Sequence, residues 1–86
     1  MYYKTAIGAA EAARELTEAL GYQVCENDWT TQIVHGGIHN RLRPSVGMNH
    51  SYSIALLKND KPQRKCLQIS LYGMPSGKFE LVNYVN

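Results

Sequence analysis

The feature that most constrains this chain is a pair of alternating runs flanking a polar, basic stretch. Tyr52, Ile54 and Leu56 alternate with Ser51, Ser53 and Ala55, and Leu67, Ile69 and Leu71 alternate with Gln68 and Ser70. A period of two places one set of side chains on one face of a strand. Two such runs in succession predict an antiparallel hairpin over residues 51–72. Setting Leu56 opposite Leu67, Ile54 opposite Ile69 and Tyr52 opposite Leu71 gathers all six large side chains on one face. The residues between the runs, Lys58 to Lys65, include Pro62, which has no N–H to give to a ladder, so the stretch reads as the hairpin tip. The second face is polar at Ser53, Gln68 and Ser70 but also carries Leu57 and Tyr72, which suit contact with a partner or a covering loop.

A third run, residues 79–85, sets Phe79, Leu81, Asn83 and Val85 on one side and Glu80, Val82 and Tyr84 on the other. The Gly73 to Gly77 cluster supplies a turn before it. The three strands predict a meander whose last member is an edge open to strand addition by a partner or a second copy. Ahead of them, residues 6–20 read as a helix. Alanine, glutamate, arginine and leucine are strong helix formers, Thr5 can cap the start and Gly21 can end it. Ala9, Ala13, Leu16 and Leu20 recur at helical spacing and define its expected buried face. Residues 22–26 and 30–35 read as short strands separated by a turn at Asn27 and Asp28. Residues 36–50 read as a long loop, with a short strand at 38–43 as the alternative.

These elements give an α+β expectation: an N-terminal helix packed on an antiparallel β-meander of three to five strands. With 86 residues the chain fits a single domain, residues 1–86. Hydrophobic residues at 44% and charged residues at 19% suit a folded core rather than a disordered segment. No run approaches a membrane span, and the helical start carries Glu11, Glu15 and Glu18 rather than an export signal. The expectation is a cytoplasmic protein with no membrane association. Cys25 and Cys66 are then expected as free, structural thiols, since a disulfide needs their strands side by side.

No compact ligand spacing links His35, His39 and His50 with the cysteines, and Gly36 and Gly37 interrupt the helix that would align His35 with His39. Neither cysteine sits at a strand-to-helix elbow, and Gly36-Gly37 lacks the lysine and hydroxyl of a phosphate loop. No metal, cofactor or catalytic residue is assigned. The charge is uneven. Residues 1–40 set Lys4 and Arg14 against five acids, a net of −3, while residues 41–86 set seven cations against Asp60 and Glu80, a net of +5. Such asymmetry steers partners. The leading expectation is a non-enzymatic interaction module for another protein, of the inhibitor, antitoxin, immunity-protein or small-subunit kind. Trp29, His39, Arg41, Arg43, Leu57 and Tyr72 are its expected contacts. The alternative is an RNA- or DNA-binding domain using Arg41, Arg43, Lys58, Lys61, Arg64 and Lys65 as phosphate contacts. A small nuclease or hydrolase centred on His39 is a third reading. A homodimer through the last strand would be compatible with any of them.

Overall fold

A computed structural model describes residues 1–36, 46–47 and 49–86. The fold is α+β: helical segments pack on one face of a five-stranded antiparallel sheet. In chain order the elements are β1 (Tyr2–Tyr3), α1 (Ala6–Ala19), β2 (Gln23–Val24), α2 (Glu26–Trp29), β3 (Asn49–Lys58), β4 (Lys61–Gly73) and β5 (Phe79–Val85); α2 runs on as a π-helical turn, Thr30–Val34. The sheet order is β1-β5-β4-β3-β2, with every neighbour antiparallel. The expected meander, β3 to β5, is its centre. The sheet is more than a meander because α1 carries the chain from one edge strand, β1, to the other, β2.

The α1 helix starts where Thr5 accepts a hydrogen bond from the Gly8 N–H at 3.0 Å. It ends in a Schellman arrangement: the Gly21 N–H bonds the Glu18 carbonyl at 2.9 Å and the Tyr22 N–H bonds the Thr17 carbonyl at 3.4 Å. This closure needs a left-handed residue, and Gly21 supplies it at φ 95°. The buried face is Ala6, Ala9, Ala10, Ala13 and Thr17. The expected face was right at Ala9 and Ala13 but wrong at its C-terminal end, where Leu16 and Leu20 are exposed. The physical reason is distance. A row of alanines lets the helix axis lie close to the sheet, and Thr17 satisfies its buried hydroxyl on the Ala13 carbonyl at 2.8 Å.

Residues 30–35 are not a strand. The Trp29 N–H bonds the Cys25 carbonyl, and five residues separate the π-type pair in which the His35 N–H bonds the Thr30 carbonyl at 2.9 Å. Trp29 and Ile33, four apart, both point into the core. The β-branched Thr30, Thr31, Ile33 and Val34 favour a strand locally, but burial of the Trp29–Ile33 pair overrides that preference. A side chain at Gly36 would collide with the Gln32 carbonyl oxygen, so glycine is required where this turn closes. The alternative strand at 38–43 lies outside the described residues.

The hairpin forms, but two residues out of the expected register. Ile54 pairs with Leu67, Tyr52 with Ile69 and His50 with Leu71. Because the slip is an even number, the same side chains stay on the buried face. Its cause is the tip. The turn is two residues long, Asn59 and Asp60, at φ 52° and 62°, the geometry of a type I′ hairpin turn. Pro62 is therefore in the ladder, opposite Leu57, and a bulge between Ala55 and Leu57 absorbs the extra residues of β4. The core lies between the helices and this face: Ile54, Leu56, Leu67, Ile69, Leu71 and Phe79 are fully buried there with Ile33.

Candidate interaction surfaces

The two faces of the sheet differ sharply. Register places Tyr2, Glu80, Tyr72 and Asn49 in one row on the face away from the helices. The next rows hold Val82, Ser70 and Ser51, then Tyr84, Gln68 and Ser53. No described helix packs on this open face. Tyr2, Val82 and Tyr84 are 54%, 45% and 53% exposed, while Tyr72, Ser70 and Gln68 are half-buried by their neighbours. Gln68 donates to the Ser53 hydroxyl at 3.0 Å, which fixes that amide in the middle of the face. Among the three rows Glu80 is the single charge. Beside Tyr2, a shallow cleft of ≈ 380 Å³ is lined by Met74, Pro75, Ser76 and Lys78.

The hairpin tip is the second surface. Lys58, Lys61, Arg64 and Lys65 are all exposed. Lys58 stands over the Tyr22 ring, 5.2 Å from its centroid. Among the described residues the ion pairs are those of Arg14, with Glu26 and with Glu18, so the tip cations carry no carboxylate partner there.

Trp29 is 6% exposed and belongs to the core, so its ring is not a surface anchor. The Arg14 guanidinium covers it at 5.1 Å while bonding Glu26. That hydrogen bond holds Arg14 above its ordinary pKa, against the opposing effect of partial burial. Leu57 is half-buried on the open face between Gln23 and Pro62, and Tyr72 is half-buried at its centre. His39, Arg41 and Arg43 lie outside the described residues. Sequence reasoning set Val82 and Tyr84 on the far side of the last strand but did not single them out. Tyr2, in a two-residue strand, gave no periodic signal at all.

Among the described residues no group of three or more His, Cys, Asp or Glu side chains is placed to hold a metal ion. Cys25 and Cys66 are both free; Cys25, expected within a strand and away from any strand-to-helix elbow, instead joins β2 to α2 as the cap residue of that short helix. Ala55 pairs with Cys66 on one side and receives the Cys25 N–H on the other, so one strand stands between the thiols. Two strand spacings, roughly 9.5 Å, exceed the reach of a disulfide. His50 has a buried Nε2 with no hydrogen-bond partner among the described residues. Burial raises the pKa of Tyr52, which lies on the helix side of the same strand. No described helix is long and apolar enough to cross a membrane. No protein-family model, curated protein or solved structure matches the chain.

Proposed function

We propose that this chain is a non-enzymatic interaction module that binds another protein through the open face of its sheet. The observation that carries the reading is the composition of that face: exposed Tyr2, Val82, Tyr84, Ser51 and Ser53 around half-buried Tyr72, Ser70 and Gln68, with one charge. Protein interfaces are rich in aromatic residues and poor in charge at their centres. Tyrosine gives large contact area with few rotors to freeze, and serine gives adaptable hydrogen bonds. Leu57 extends the face toward the tip.

A second reading is nucleic-acid binding by the tip, favoured by the four exposed cations Lys58, Lys61, Arg64 and Lys65 around a two-residue turn. One experiment separates the readings: binding to mixed-sequence RNA and DNA at low and at moderate salt. The protein reading expects weak binding at most, unchanged by Tyr84→Ala. Tight binding that falls steeply with salt and is lost in Arg64→Ala/Lys65→Ala would transfer the function to the tip.

A further inference from the structure

The two long edges of the sheet are treated differently. On the β3 side, β2 pairs with only two residues, Leu56 and Leu57, yet the edge beyond it is closed. The Cys25 N–H bonds the Ala55 carbonyl at 2.8 Å, the Asp28 carboxylate accepts the Ala55 N–H at 2.7 Å, and Gln32 donates to the Ser53 carbonyl at 2.8 Å. One backbone N–H and two side chains do there what a neighbouring strand would do. On the β5 side, β1 pairs only with Phe79 and Glu80, and the Met1 carbonyl accepts the Leu81 N–H. Val82 to Val85 continue past it.

Which backbone groups face outward follows from the ladder. Cys66 and Asn86 exchange both hydrogen bonds, at 2.8 and 2.9 Å. Antiparallel pairs alternate, so Tyr84 and Val82 also bond to β4, while Asn83 and Val85 turn N–H and C=O outward. Among the described residues nothing pairs with them. The segment Val82-Asn83-Tyr84-Val85 carries no charge, proline or glycine, the usual devices that blunt an edge.

We propose that this edge pairs with its own counterpart in a second copy of the chain, as a two-fold antiparallel strand pair centred on Tyr84. The segment is self-complementary. With Tyr84 opposite Tyr84 of the second copy, Asn83 of each meets Val85 of the other, and these two pairs form four backbone hydrogen bonds. A pair centred on Val85 matches only one outward residue with itself within the described strand. A pair centred on Asn83 sets Val85 against Leu81, whose N–H already serves Met1. The Tyr84 register begins past the point where β1 ends. Being neutral, the segment meets itself without like-charge repulsion. The two Tyr84 rings, 53% exposed in one copy, become close neighbours on the open face. The pairing goes beyond the protein-partner reading, which stands whether or not copies associate.

The test is the mass in solution by light scattering, from low micromolar to near-millimolar protein, for the native chain, Asn83→Pro and Tyr84→Lys. Proline at 83 removes an outward N–H and leaves the β4 ladder intact. Lysine at 84 sets like charges on the two-fold axis. The native chain should rise from 9.7 kDa toward twice that mass, and both variants should stay at the lower value. A native chain that stays at 9.7 kDa throughout overturns the proposal, as does a dimer that survives both substitutions. Should the variants misfold, amide exchange in the native chain decides. The Asn83 and Val85 amides should slow as concentration rises, and exchange independent of concentration contradicts the pairing.

Discussion

Asp28 and Gln32 sit one helical turn apart and reach the same strand. Gln32 donates to Asp28 at 2.9 Å and to the Ser53 carbonyl, while Asp28 receives the Ala55 N–H. From the sequence, Asn27-Asp28 reads as a turn, because short polar residues compete with regular structure. In the fold the same carboxylate ties a helix to a sheet edge. A hydrogen bond to a charged group contributes about 1.5–3 kcal/mol. Asp28→Ala should therefore lower unfolding stability by about that amount in chemical denaturation. Asp28→Asn, which keeps an acceptor without the charge, should lose less. Equal losses would mean that shape rather than charge holds the edge.

At the scale of elements, the hairpin explains both what the sequence reveals and what it hides. Ile54, Leu56, Leu67 and Ile69 announce their face by alternation, and an error of two residues in register leaves that face unchanged. The turn was hidden because the eight residues from Lys58 to Lys65, seven polar ones and a proline, offer several places to reverse. Asn59 and Asp60 are the residue types that best tolerate positive φ short of glycine, and they were the usable signal. Asp60→Val should cost about 1–2 kcal/mol of stability, since a β-branched residue resists the left-handed region. Asp60→Gly should cost nothing. A Val substitution without effect on the melting temperature would place the reversal elsewhere. The π-helical turn was illegible for a different reason. Its Thr and Val residues favour a strand, and only the core position of Trp29 and Ile33 decides otherwise. The open face was half legible. Alternation placed Val82 and Tyr84 opposite Phe79 and Leu81, but which face the helix would cover is a tertiary outcome.

At the scale of the whole molecule, the described helical segments gather on one side of a thin sheet. The chain measures 40 × 23 × 16 Å along its principal axes, so a large share of the sheet is one residue from solvent. Glu80 aside, the charged groups of the two ends stand apart from the three rows of the open face: Arg14, Glu18 and Glu26 lie around the helices, and Lys58, Lys61, Arg64 and Lys65 surround the tip. A nearly neutral, tyrosine-bearing face between charged ends is the basis for assigning partner contact there. The helix offers a rival apolar patch at Leu16 and Leu20, 54% and 66% exposed. The most direct measurement is site-specific photocrosslinking in the cells that make the protein, with a benzophenone side chain at Ser70, at Tyr84 or at Leu16. Apart from any adduct between two copies of the chain at Tyr84, the account predicts one shared adduct with a different protein from Ser70 and Tyr84 and none from Leu16. An adduct from Leu16 alone, or none from the open face, would contradict it.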